Sequence, residues 1–178
     1  MKYIALLRGI NVGGNNKVSM TELRSVFEQL GFSNVSTYIN SGNVIFDSAQ
    51  TDKALLVQMC ESAIESKFGF KVVCSVISAD ELRIAVNHAP AWWGRDDNKH
   101  NAIFAIAPET AENIVSLVGE AKPEYEKVAI YEPIIFWSAP LKTFSRTRYS
   151  KIVGTKAYSS ITIRNANTTK KLVELTSV

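Results

Sequence analysis

Apolar and polar positions along the chain switch between a period near two and a period near 3.6, and the order of switching occurs twice. Residues 3–8 form a short apolar run ended by Arg8 and read as a strand. A Gly/Asn-rich stretch, residues 9–17, follows. Ser19-Met20-Thr21-Glu22 has capping-box spacing, in which the serine oxygen accepts from the amide three residues on and the glutamate reaches back. Leu23, Val26, Phe27 and Leu30 then recur at helical spacing, and Gly31 stops the helix. Residues 35–39 and 44–46 read as strands around Asn40-Ser41-Gly42-Asn43, a turn composition. A second helix runs from about 52 to 68, with Leu56, Met59, Ala63 and Ile64 on one face, and residues 72–77 form a further strand. The order is β-α-β-β-α-β.

Ser78-Ala79-Asp80-Glu81 repeats the capping-box spacing and predicts a short helix to about Asn87. Residues 89–100 connect, and their tandem Trp92-Trp93 is expected to fold back over the groove between the halves. The order then restarts. Strands are expected at 102–106, 128–131, 134–137 and 161–164, and helices at 110–118, 148–153 and 168–175. A βαββαβ unit is the split-βαβ, ferredoxin-like pattern. The sequence thus predicts an α+β fold: a duplicated ferredoxin-like architecture with antiparallel sheets and helices on one face. The expected divisions are a first subdomain at 1–78, a connector at 79–100, and a second subdomain with a C-terminal helix at 101–178.

That topology has a consequence for chemistry. The third strand lies between the first two, so the loop after strand one and the hairpin after strand two share one end of the sheet. This places residues 8–17 beside residues 40–43. Gly13 and Gly14 allow close backbone approach to a ligand, and the loop leads into a helix N-terminus, where amides and dipole favour an anion. Arg8 and Lys17 add charge; Asn11, Ser41 and Asn43 add hydrogen-bonding groups, and Gly42 completes the turn. The expectation is a small anionic ligand, such as a phosphorylated metabolite or a nucleotide. The residues leave open whether it is only bound or also turned over, and whether the chain is instead a structural or protein-interaction module with no ligand, in which they stabilise the junction between the halves. No Walker A or G-x-G-x-x-G pattern is present.

Charge adds a second candidate. The formal net charge is +3, yet residues 1–137 carry 12 basic and 16 acidic side chains while residues 138–178 carry 8 basic and one acidic. The basic C-terminal quarter offers an alternative, association with nucleic acid. The aromatics of an RNA-recognition motif are missing from Ser41-Gly42-Asn43-Val44-Ile45-Phe46, so this alternative is not favoured. Composition is that of a folded domain, with 46 % hydrophobic and 21 % charged residues. No apolar run approaches the ~20 residues of a membrane span. The first apolar run is too short for a signal peptide. A cytoplasmic location is expected, with no membrane partner.

Three motifs resemble a known family: Leu7-Arg8-Gly9-Ile10-Asn11-Val12-Gly13-Gly14, Thr37-Tyr38-Ile39-Asn40-Ser41-Gly42-Asn43-Val44-Ile45-Phe46, and Thr162-Ile163-Arg164-Asn165. Across the whole chain the sequence is similar to the bacterial domain-of-unknown-function family numbered 1697. The resemblance implies a duplicated ferredoxin-like fold and no particular activity. It marks Arg8, Gly9, Asn11, Gly13, Gly14, Ser41, Gly42, Asn43, Arg164 and Asn165 as signature positions. Arg164 and Asn165 would close the anion site from the second half if packing brings them near. The position after them, an aromatic in the family pattern, is Ala166 here.

Other chemistry finds little support. His88 and His100 lie in or beside the connector, away from the Gly/Asn loop, and read as surface or capping residues. Cys60 and Cys74 read as buried packing residues. No metal-ligand spacing occurs, so neither a metal nor a cofactor is expected.

Overall fold

The computed structural model describes residues 1–177. The chain divides into two compact units, Met1–Leu82 with the C-terminal residues from Thr176, and Arg83–Leu175. Each contains a four-stranded antiparallel sheet with helices, an α+β fold of two ferredoxin-like units.

The first unit is built from β1 (Lys2–Leu7), α1 (Met20–Gln29), β2 (Ser33–Tyr38), β3 (Asn43–Asp47), α2 (Lys53–Phe68) and β4 (Cys74–Ser78), with α3 (Ala79–Asn87) beginning at its end. The strand order is β2-β3-β1-β4, so β3 lies between β1 and β2 as the topology requires. Alternation along β1 sends Tyr3, Ala5 and Leu7 to the helical side. There they join Leu23 and Phe27 of α1 and Leu56, Cys60 and Ile64 of α2 in one core. Phe46 is its aromatic centre, stacked on Phe32 with centroids 4.5 Å apart and edge-on to Phe27 at 5.4 Å. Ile4, Leu6 and Ile45 are buried as well.

Capping follows the chain's own signals. The Ser19 hydroxyl accepts from Glu22 N at 3.4 Å and starts α1. Asp52 accepts from Ala54 N and Leu55 N at the head of α2, and Gly69, at φ +79°, ends it. At α3 the box closes in both directions: Glu81 N donates to Ser78 Oγ at 3.2 Å, and Ser78 N donates to Glu81 Oε2 at 2.9 Å.

The second unit comprises β5 (Lys99–Ala105), α4 (Ala111–Val118), β6 (Lys127–Tyr131), β7 (Ile134–Ala139), β8 (Ile161–Asn165) and α5 (Ala166–Thr176). Its strand order, β6-β7-β5-β8, repeats that of the first unit. Its core gathers Ile103, Ile114, Ile135, Trp137, Tyr149 and Ile152.

Two expectations need correcting here. The helix expected at 148–153 is instead the middle one of three 3-10 segments, Leu141–Arg146, Tyr149–Gly154 and Lys156–Ser160. Thr147 Oγ1 and Thr155 Oγ1 each donate to the carbonyl three residues back, at 2.7 Å, and end the turns before a fourth residue can extend them. The last helix starts two residues early, because Asn165 Oδ1 accepts from Thr168 N at 2.8 Å and caps it.

Candidate functional site

The loop after β1 is a compact knob held by its own backbone. Five of the eight residues 9–16 have left-handed φ: Gly9, Asn11, Gly13, Gly14 and Asn16. Gly13 and Gly14, at +58° and +81°, make a primed two-residue turn, and Asn15 N donates to Val12 O at 3.0 Å across it. Asn11 N donates to Asn16 O at 3.1 Å, and Asn16 Nδ2 to Gly9 O at the same distance. The glycine tip, Asn15, Asn16 and Lys17 are exposed, while Ile10 beneath them is buried.

The β2–β3 hairpin meets this knob. Asn11 Nδ2 donates to Asn40 O at 2.9 Å and to Val18 O at 3.0 Å, and Asn11 Oδ1 accepts from Val18 N at 2.8 Å. One side chain thus ties the loop, the start of α1 and the hairpin together. Leu7 N donates to Gly42 O at 2.8 Å. A Cβ on Gly42 would stand 2.7 Å from Ile10 Cδ1 and 2.8 Å from Leu7 Cβ, so only glycine fits. Asn43 is fully buried and donates to Tyr38 O at 2.9 Å and Ser41 Oγ at 3.1 Å. Ile39 has φ +51°, a strained position for a β-branched residue, and remains 47 % exposed. No carboxylate precedes Glu22 in the sequence and none lies between Ser33 and Phe46, so the two segments themselves contribute only the basic residues Arg8 and Lys17.

Arg164 and Asn165 lie in the second unit. Arg164 is buried, donates to Thr162 Oγ1 and Ile163 O at 2.9 Å, and burial pulls its guanidinium down to about 10. Asn165 caps α5.

The two histidines are separately placed. His88 stacks on Tyr131 with centroids 4.5 Å apart. The buried His100 pairs through Nε2 with Asp96 Oδ1 at 2.8 Å, beside a groove of about 300 Å³ that also involves Asn98, Asn101, Asn165 and Asn167. In the same segment, Trp93 is buried edge-on to Phe136 and donates to Asn101 O at 2.9 Å. Cys60 and Cys74 are both buried free thiols; a sulfur hydrogen bond between the Cys74 thiol and Cys60, then burial, raises the Cys74 thiol well above its ordinary value. Among the described residues, no group of three or more His, Cys, Asp or Glu could hold a metal ion, and no helix is long and apolar enough to cross a membrane.

Sequence reasoning missed Glu126. It is buried in the second unit, and its carboxylate accepts four N–H groups: Lys122 N at 3.0 Å and Arg148 N at 2.7 Å on Oε1, Trp137 Nε1 at 3.0 Å and Tyr149 N at 3.2 Å on Oε2. Its surroundings, Glu120-Ala121-Lys122-Pro123-Glu124-Tyr125-Glu126, offer three glutamates and no periodicity to show which one turns inward.

The model of a protein family of unknown function, DUF1697, matches residues 1–136. The chain belongs to that family. Among solved structures, the conserved bacterial protein SP0830 from Streptococcus pneumoniae is similar to this DUF1697 chain at 33 % identity, with 98 % of each chain covered and a TM-score of 0.88. No curated protein matches the sequence. The DUF1697 match takes in the knob and the hairpin and ends before Arg164.

Proposed function

We propose that the protein binds a small anionic ligand, a phosphorylated metabolite or a nucleotide, at the rim formed by residues 8–17 and 39–42. The observation that carries this reading is the Asn11 side chain bridging the glycine knob to Asn40, which brings two segments 29 residues apart onto one edge. The knob presents exposed glycine backbone in a stretch that also carries Arg8 and Lys17. Alternating left-handed residues curl successive amides into the kind of concavity that receives anions. The strained Ile39 stands at the same edge, where strain held by surrounding structure accompanies function. In this reading Asn11, Gly42 and Asn43 hold the rim, and Arg8, Gly13, Gly14, Lys17 and Ser41 meet the ligand.

Thermal-shift measurements with nucleotides and sugar phosphates test this. A ligand that raises the melting temperature of the wild type and not of an Arg8→Gln/Lys17→Gln variant supports it. No response to any of these anions, or a response the variant retains in full, removes it.

A second reading is favoured by the complete burial of Asn43 and the internal bonds of Asn11: the signature residues stabilise the unit and bind nothing. It expects Asn11→Ala and Asn43→Ala to lower the melting temperature with every anion inert.

A further inference from the structure

We propose that a basic recess within the second unit is a binding site for a small phosphate-bearing ligand. The recess, about 180 Å³, is lined by Val118, Lys122, Thr147, Arg148, Lys151 and Thr155. At ~30 Å³ per water, it has room for a phosphoryl group and its hydration, with the rest of the ligand in solvent. The site lies in the other unit from the rim discussed above and does not depend on it.

Three basic residues and no carboxylate line the recess. Among the described residues, neither the Arg148 guanidinium nor the Lys151 ammonium has a hydrogen-bond or ion-pair partner, and Lys122 Nζ has only the Arg146 carbonyl at 3.2 Å. The C-terminus of α4 at Val118 attracts positive charge, but a helix end carries only about half an elementary charge. Glu126 lies behind, with both oxygens already occupied by four N–H donors. Neither accounts for three basic residues lining one recess.

The recess is also preorganised. Glu126 Oε1 grips Lys122 N and Arg148 N together, so one carboxylate fixes the backbone beneath two of the three cations. The buried Thr147 donates to Phe144 O at 2.7 Å and accepts from Ser150 N at 3.1 Å, fixing the turn between them. Gly119 leaves room for the third device: a Cβ there would stand 3.3 Å from Arg148 Nη1, so the guanidinium lies across bare backbone. A planar guanidinium fork in a recess that two lysines also line is suited to phosphate oxygens.

A phosphate monoester fits this site better than a nucleic-acid strand. The basic residues line one small recess, and the two aromatics nearest to Arg148 in sequence, Phe144 and Tyr149, are packed against other side chains. Tyr149 is fully buried, and Phe144 packs on Trp137 with Lys99 over its ring. Strand binding needs exposed stacking faces.

The test is an amide-resolved NMR titration of the full chain with inorganic phosphate, then methyl phosphate, then a single-stranded oligonucleotide at equal phosphate concentration. The expected result is saturable shifts at amides 118–122 and 147–155 with both small anions. Binding should weaken at least tenfold in Arg148→Gln/Lys151→Gln and persist in Arg8→Gln. Both substituted side chains in the recess are exposed, so the melting temperature of the double variant should stay near that of the wild type. The proposal is overturned if the double variant binds phosphate as the wild type does, if the oligonucleotide binds and phosphate does not, or if no saturable shift appears. Shifts confined to residues 8–17 would overturn it too, while leaving the rim reading intact.

Discussion

Asn11 reaches across to Asn40: its Nδ2 donates to the Asn40 carbonyl at 2.9 Å while the same side chain clasps both backbone groups of Val18. Asn11 also has φ +53°, which asparagine tolerates better than any residue but glycine. Asn11→Ala removes three hydrogen bonds, each worth about 1 kcal/mol net and partly replaced by water. With the added left-handed strain, the expected loss is about 2–3 kcal/mol, a fall of roughly 4–12 °C in melting temperature. Asn11→Gly keeps the backbone relaxed and should lose less than alanine. Calorimetry on the two variants checks this, and an alanine variant melting with the wild type would refute the bridging role.

Glu126 makes a different demand. Each of its oxygens accepts two N–H groups. Glu126→Gln is nearly isosteric, yet it sets an amide NH₂ against two donors that have nowhere else to turn. The lost charge-assisted bonds and the stranded donors predict a destabilisation of about 3 kcal/mol. Denaturant unfolding should show the midpoint falling sharply. Near-identical midpoints for wild type and variant would mean the carboxylate is not the hub its distances describe.

Tyr149 predicts the opposite sign. It is fully buried, and its hydroxyl has no hydrogen-bond partner among the described residues. Burial, then the Glu126 carboxylate, pushes it up to about 12, so it stays a neutral donor with nothing to receive it. Tyr149→Phe deletes only that oxygen and should leave stability unchanged or raise it by about 1 kcal/mol. A clear loss of stability in this variant would reveal a partner for the hydroxyl, such as a buried water.

Local signals were legible because they are written in consecutive residues. Ser78 with Glu81 announces a box that closes both ways, Ser19 announces the cap of α1 although Glu22 turns to Lys67, and Leu56 and Ile64 announce the buried stripe of α2. The meeting of the knob with the hairpin was readable too, because strand order alone puts both at one end of the sheet. What could not be read depends on long-range choices. Nothing in the sequence distinguishes Glu126 from Glu120 or Glu124, since the choice is made by the amides of Arg148 and Tyr149, more than twenty residues away. Asn43 reads as a turn residue offering hydrogen-bonding groups to the ligand, but the β2–β3 hairpin buries it and turns its amide onto Tyr38 O and Ser41 Oγ. The three basic residues of the recess, Lys122, Arg148 and Lys151, were visible only as parts of an uneven charge distribution.

Glu81 gives the fold a pH dependence whose sign follows from its surroundings. Burial alone would raise its carboxyl, but the bond to Lys53 and the bonds that the carboxylate accepts from the Ser78 backbone N–H and the Ser78 side chain outweigh burial and hold it below the ordinary 4.5. A carboxyl lowered in the folded state binds protons less readily there than in the unfolded chain. Its contribution is therefore complete above the unfolded value and disappears as pH falls through the folded one. Glu81→Gln keeps an oxygen for Ser78 N and loses the charge. At neutral pH the variant should melt below the wild type by a small margin, since the pair is partly exposed and screened. The margin should close steadily as the pH drops below 4.5 and vanish once both forms are neutral. Paired melting curves from neutral to acidic pH measure it directly; a margin that stays constant or widens in acid would show that the Lys53–Glu81 pair does not contribute to stability.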